Sequence, residues 1–509
     1  MKKRFLRKTV STLLAVIMIM SASLTFFASA KNEKVNQDCP LIYVHGFMAT
    51  TIYEDPDDEN SEETASVSSE AILSAIKQAL PSFAKFSVTR DWDALSDEII
   101  PIAKEVTKDL VNNPDGSTPG TSDARLVYPT AEEIEENYNE IDFKYDWRSD
   151  PVEIAAELNN FIEYICKTAN CSQVSLSCHS LGGVIGLSYI SIYGTERIKG
   201  VAFNSTAIYG ETYTGELLTG NISLNSNALF NFIDFAFDGD ENESLIDSIN
   251  KLFKNAGLLD FVSDFGNTIV ENLSERVLSE VVAPIFAGWP TIWAMVPDEY
   301  INDAMDYVFG TVYKDSDVDR SGLVEKINSY NEKVRKNKTQ TLLELDEVSR
   351  VVVISRYGYS SIPATPSWEI NSDGVIDTKN TSFGATVAPY GESFDETYLS
   401  GKDKSLISPD STVDASTCLF PEKTWFVKNL KHSDTPDGFD EMILTLLYSE
   451  EEATVNTYSE YPRFLKYSYL LDKVYADDSL AEKDSESFLA KIINFFADII
   501  AMLKSFFTI

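Results

Sequence analysis

The chain has 509 residues, 44% of them hydrophobic, and carries 80 acidic against 42 basic residues, a formal net charge of -38. So acidic a surface repels phosphate backbones, which excludes nucleic acid as an expected partner. The length suits one large core with a sizeable insertion, or two domains.

In chain order, residues 1–30 combine Lys2, Lys3, Arg4, Arg7 and Lys8 with an apolar run from Leu13 to Met20 and the small-residue site Ala28-Ser29-Ala30. That is the pattern of a cleaved secretory signal peptide, so the protein is expected to be secreted, free or at a cell surface, with 1–30 outside the fold. No lipobox cysteine follows. The first part of the core spans 31–212. PLIYV (40–44) predicts a short strand that ends on His45-Gly46-Phe47. An acidic insertion from 54 to about 137 shows helical spacing in SSEAILSAIKQAL and DEIIPIAKEVTKDL. PVEIAAELNNFIEYICKTA (151–169) is an amphipathic helix with Pro151 near its start. Gln173 to Ser177 predicts a strand, 181–194 a helix, and Lys199 to Phe203 another strand. This alternation implies an α/β fold with a mostly parallel central sheet between helices.

Strand signals fade over 213–340, where NALFNFIDFAF and LLDFVSDFGNTIVENLSERVL predict a helical cap. Val351 to Ile354 returns the chain to a second core part, 341–475, in which 355–409 is a polar excursion. The tail, 476–509, predicts an amphipathic helix with Lys491, Asn494, Asp498 and Ser505 on one stripe. Its charges argue against a spanning helix, and leave contact with a membrane surface or with another protein as its two uses. Five cysteines, Cys39, Cys166, Cys171, Cys178 and Cys418, leave at least one thiol free, and none forms a zinc-type pair, although Cys166 and Cys171 are near enough to bridge. Asp317 to Gly322 resembles the start of a calcium loop, but Asn328 stands where a bidentate Glu belongs. No metal or cofactor is expected.

The most informative stretch is VSLSCHSLGGVIG (174–186). A strand, a corner holding a serine between small residues, and a helix make the nucleophile elbow of α/β-hydrolases, with Cys178 where glycine is usual. The alternative is a helix start capped by Ser180. A nucleophilic serine needs a base that follows the acid in chain order. Of the three histidines, His179 adjoins Ser180 and His45 belongs to the strand-end turn, which leaves His432. For the acid, SPDSTVDAS (408–416) offers Asp410 and Asp414; Asp410 fits the D-x-T-V pattern at a strand end and is preferred, with Asp414 as a solvated turn residue. The oxyanion hole is expected from the backbone N–H groups of Leu181 and Phe47. Such a set attacks an ester carbonyl through Ser180 and passes through an acyl-enzyme.

PLIYVHGFMAT (40–50), FKYDWRSD (143–150), CHSLGG (178–183), WPTIWAMVPDE (289–299) and D-x-T-V with a downstream His together resemble the lecithin:cholesterol acyltransferase family of α/β-hydrolases, patchily from about 38 to 446. The family often has proline where this chain has His45, and the likeness weakens in the insertion and cap. The resemblance implies an α/β-hydrolase fold with a lid, and cleavage or transfer of acyl chains on lipid esters. Trp289 and Trp293, with Phe230, Phe232 and Phe235, are candidates for an apolar acyl pocket; packing within the cap is their other use. The rival from a different class is a non-catalytic surface-binding protein on the same scaffold.

Overall fold

Short aliphatic runs at 41–44, 174–179, 198–204 and 350–357 are buried along nearly their whole length, as strands with helices on both faces must be. The computed structural model describes residues 38–477 apart from 67–68, 90, 238–249, 470 and some positions between 252 and 277. The stretch expected to be a secretory leader and nearly all of the tail expected to form an amphipathic helix therefore lie outside the described residues. Eight strands form the main sheet: β1 (Leu41–Val44), β2 (Ile141–Phe143), β3 (Val174–His179), β4 (Ile198–Asn204), β5 (Arg350–Tyr357), β6 (Thr424–Lys428), β7 (Phe464–Ser468) and β8 (Lys473–Ala476). Their spatial order is β8-β7-β6-β5-β4-β3-β1-β2, parallel throughout except for the β7–β8 pair. The protein is thus α/β with a large, mostly parallel central sheet, as the alternation of elements implies.

Side chains alternate between the two faces. Val201, Phe203, Val351 and Val353 join one cluster with Ile154, Leu158, Val184 and Leu345, whereas Ala202, Val352, Ile354 and Trp425 join another with Phe439, Met442 and Leu446. Helix α1 (Ser69–Thr89) and α2 (Trp92–Thr107) pack on each other in the acidic insertion around Ala79, Phe86 and Leu95. Helix α3 (Pro151–Thr168) starts where the sequence places it: Pro151 is its first residue and the Asp150 carboxylate accepts the Val152 N–H at 2.9 Å. It packs beside α4 (Leu181–Tyr193).

Over 213–340 the described residues are largely helical, including α5 (Ser226–Phe237) and α6 (Ser321–Lys333). Helix α6 and the next, α7 (Lys338–Val348), pack on α3 and α4 in the layer covering the sheet, so the chain rejoins the core near 321 rather than 341. Helix α8 (Phe439–Tyr448) covers the opposite face. Among the described residues no helix is long and apolar enough to cross a membrane.

Because β1, β3, β4, β5 and β6 are parallel and in register, their carboxyl ends line one edge: Val44 lies opposite Cys178, His179 opposite Asn204, Asn204 opposite Ile354, and Tyr357 opposite Lys428. The loops leaving that edge carry Gly46, Ser180, Asp373 and His432, as expected of open parallel sheets.

Candidate active site

Ser180 sits between β3 and α4 with φ +56° and ψ -123°, a conformation that side-chain-bearing residues adopt only when held there. Its N–H donates to the Asn204 carbonyl at 3.2 Å, and its own carbonyl accepts from Gly183 and Ala207 at 3.1 Å. Ser180 makes no side-chain cap bond to α4, so the capped-helix alternative fails. The turn is so tight that a Cβ on Gly182 would lie 2.1 Å from the Val44 carbonyl oxygen. The unusual Cys178 is accommodated by Gly186, where a Cβ would lie 2.7 Å from its sulfur.

Gly46 brings the turn after β1 against the serine: a Cβ there would lie 2.9 Å from Ser180 Cβ and 3.4 Å from Oγ. That turn is held from behind. Tyr145 donates its hydroxyl to the His45 carbonyl at 2.6 Å, Trp147 donates its indole N–H to the Thr50 carbonyl at 3.1 Å, and the Phe47 ring packs edge-on against Trp147 at 4.9 Å. Arg148 and Asp146, both buried, pair at 2.6 Å, and Arg148 also donates to Ser122 and the Asp109 carbonyl. The Tyr145 to Arg148 segment therefore supports the Phe47 turn. Leu181 is the first residue of α4, where a backbone N–H has no acceptor within its own helix.

His432 donates or accepts through Nδ1 at 2.7 Å from Asp373 Oδ2, and its ring centroid stands 4.7 Å from that of His179, the neighbour of Ser180. Asp373 is fully buried. Burial alone pushes its carboxyl up, but the charge and hydrogen bond of His432, with the Ile376 and Val375 N–H groups on Oδ1, outweigh this and hold it below its ordinary value. Proximity thus makes Nδ1 the protonated nitrogen and leaves Nε2 as the basic one. The other two histidines are engaged: His45 Nε2 lies 3.0 Å from Asp142, and His179 Nε2 donates to the His432 carbonyl at 2.9 Å.

The carboxylate facing His432 is thus Asp373, not Asp410. Asp410 lies in a self-contained turn, where Oδ1 accepts from the Ser408 and Thr412 hydroxyls at 2.6 and 2.7 Å and Oδ2 pairs with Lys428 at 2.8 Å. Asp414 is buried elsewhere, bonded to Tyr398, Lys402 and Ser416, and is not solvated. Asp373 belongs to the polar excursion: Asn371–Ser372 pairs antiparallel with Tyr359–Ser360, just beyond β5, and so delivers the next residue to the sheet edge. The signal available in sequence was the Asp373-Gly374 turn between a strand and His432.

Trp289 and Trp293 are core residues. Their indole N–H groups donate to the carbonyls of Leu110 and Ala287 at 2.7 and 2.9 Å; Trp289 backs Phe47 at 5.6 Å, and Trp293 stacks on Phe309 at 5.5 Å. Phe235 of α5 does reach the site: its ring occupies the space a Gly374 Cβ would enter at 2.2 Å, beside Asp373. Nearby, burial and the charges of Asp377 and Asp373 push the Glu211 carboxyl up to about 8, and burial with the Asp373 and Glu216 charges pushes Asp377 up to about 6.

All five cysteines are unbridged, and the described residues hold no group of three or more His, Cys, Asp or Glu side chains arranged for a metal. In the stretch resembling a calcium loop, Asp319 accepts the Ser321 N–H at 2.9 Å, at the start of α6. No known family model matches the chain, and no curated protein matches it in sequence.

Proposed function

We propose that this protein is a serine carboxylic-ester hydrolase or O-acyltransferase of the α/β-hydrolase type. The observation that carries the proposal is the pairing of buried Asp373 with His432 at 2.7 Å beside a serine held at φ +56°. Ser180 Oγ adds to the ester carbonyl carbon while His432 Nε2 takes its proton; Asp373 holds the Nδ1–H and stabilises the imidazolium. The N–H groups of Leu181 and Phe47 receive the oxyanion. Collapse expels the alcohol, protonated by His432, and leaves Ser180 acylated until water or a second alcohol, deprotonated by the same ring, releases the acid or the new ester.

The helical region from 213 to about 320 would act as the lid, with α5 over the Asp373 turn. An apolar helix such as NALFNFIDFAF suits a lipid-like acyl chain, in keeping with the sequence resemblance to lecithin:cholesterol acyltransferases, and the leader pattern suits export. The test is labelling by a fluorophosphonate. Stoichiometric modification of the wild type that vanishes in Ser180→Ala supports the proposal; a folded wild type that takes no label and turns over no p-nitrophenyl ester favours a binding protein on the same scaffold.

A further inference from the structure

The turn that carries His432 is gripped by its main chain. The His432 N–H donates to the Asp373 carbonyl at 3.0 Å, and its own carbonyl receives two donors, His179 Nε2 at 2.9 Å and Arg356 Nη1 at 2.8 Å. The same guanidinium nitrogen also donates to the carbonyls of Lys431 and, at 3.0 Å, Asp434, while Nη2 reaches Asn204 Oδ1 at 3.1 Å. Asn204 in turn accepts the Ser180 N–H. One side chain from the end of β5 therefore spans the base turn and the residue that anchors the nucleophile.

Arg356 is wholly buried, and none of its described side-chain hydrogen bonds goes to a carboxylate. The carboxylates of Asp373, Asp434 and Asp440 act on it only through space, and burial still holds its pKa below the ordinary value; a cation so buried is expensive, and an apolar residue would fill the same volume at lower cost. His179 is also specialised. Because a carbonyl only accepts, its proton resides on Nε2, and burial, followed by the charges of His432 and Arg356, holds its pKa well below the ordinary value. It remains a neutral donor and does not compete as a base.

Granting the serine-hydrolase function proposed above, we infer that Arg356 and His179 are positioning residues that fix the His432 backbone relative to Ser180, His179 doing so from the position adjoining the nucleophile. Small misplacements of a base are costly in rate, on the order of 10²-fold per ångström. The experiment measures fluorophosphonate labelling rates and p-nitrophenyl ester turnover for wild type, Arg356→Met, His179→Phe and His179→Gln, on protein that unfolds cooperatively. Amide exchange over 430–434 is followed in parallel. Gln places an amide N–H where Nε2 stood; Phe does not.

The expected result is a fall in labelling rate and kcat of roughly 10- to 100-fold in His179→Phe with KM little changed, recovery of most of it in His179→Gln, and a larger fall in Arg356→Met. Exchange at 430–434 should quicken in the two impaired variants. If His179→Phe and His179→Gln label alike, or both match wild type, the inference is overturned. Should Arg356→Met not fold, the His179 pair decides alone. A wild type that takes no label sinks the hydrolase proposal instead, and exchange at 430–434 unchanged in His179→Phe then sinks the clamp as well.

Discussion

Replacing Asp373 by Asn should abolish nearly all activity while leaving the fold in place, and the structure fixes why. Asp373 Oδ1 accepts the Val375 and Ile376 N–H groups at 3.0 and 2.7 Å, while Oδ2 faces His432 Nδ1 at 2.7 Å. An amide has one accepting atom. If its oxygen stays with the two N–H groups, its NH₂ faces Nδ1 and forces that nitrogen to accept, which moves the imidazole proton to Nε2 and removes the base. The flipped amide would set NH₂ against two backbone donors in a fully buried site, so the first orientation wins. In serine hydrolases this acid-to-amide exchange costs about 10⁴ in turnover, or about 5.5 kcal/mol of transition-state stabilisation.

Asp410→Asn is the matched control. Its amide oxygen can keep the Ser408 and Thr412 hydroxyls, and only the largely buried ion pair to Lys428 is lost, a cost of about 1–2 kcal/mol of stability. Turnover should stay within about threefold of wild type, since no contact with His432 is involved. Rates of p-nitrophenyl ester hydrolysis and fluorophosphonate labelling, with thermal unfolding as the check on folding, decide the matter. Asp373→Asn within tenfold of wild type, or Asp410→Asn as damaging as Asp373→Asn, would refute the assignment of the acid.

Three further outcomes are expected. The Glu211 and Asp377 carboxyls keep their protons to about 8 and about 6 in the folded protein against ordinary values of 4.5 and 3.8, so between these limits the folded state binds more protons and stability falls as pH rises. The Glu211 share is fully present below about 4.5 and gone above about 8; Glu211→Gln should therefore flatten the loss between pH 6 and 8 by up to about 1.4 kcal/mol per pH unit, read from urea unfolding at each pH, and an unaltered slope would count against it. Gly182→Ala sets a methyl 2.1 Å from the fixed Val44 carbonyl and should cost at least about 3 kcal/mol, seen as a lowered urea midpoint; a change under 1 kcal/mol would mean the elbow is looser than described. Tyr145→Phe removes the 2.6 Å bond to the His45 carbonyl behind the turn proposed to supply the Phe47 oxyanion donor and should lower kcat about tenfold with little change in KM; an effect confined to KM would place the role elsewhere.

What the sequence disclosed followed the range of the interactions. The elbow was legible because its signal is local: a buried strand, Ser180, and glycines where the corner touches its neighbours. His432 was singled out by scarcity, and the structure has His45 engaged with Asp142, His179 with the His432 carbonyl, and the His432 ring facing Asp373. The carboxylate that faces His432 was not legible, since 80 acidic residues give elimination no purchase. Asp410 drew attention through a local pattern whose hydroxyls and lysine in fact satisfy its own turn. Asp373 meets His432, 59 residues further along the chain, only when Asn371–Ser372 folds back on Tyr359–Ser360. The tryptophans illustrate a different limit: a large amphipathic ring suits a substrate wall or a core equally well, and only the carbonyls of Leu110 and Ala287 reveal that these N–H groups are used inside.

The distribution of unfavourable features carries its own argument. Most of the chain is locally consistent: strands are buried and aliphatic, α3 begins at a capped proline, and the two faces of the sheet alternate. Some exceptions lie elsewhere, Ala65 and Asn170 at positive φ among them, but several meet at the carboxyl edge of the strands. Ser180 and Ser205 are held at φ +56° and +49°, Arg356 is buried without an ion pair among its hydrogen bonds, and Glu211 and Asp377 each keep one buried oxygen without a hydrogen-bond partner. Strain costs on the order of 1–3 kcal/mol per residue and buried unsatisfied polar atoms a similar amount. Several such costs brought together around one serine and one histidine would be selected against unless the arrangement did something. A sheet whose stability were its only purpose would place alanine at 180 and an apolar residue at 356, and the substitutions set out above measure what that relief would lose.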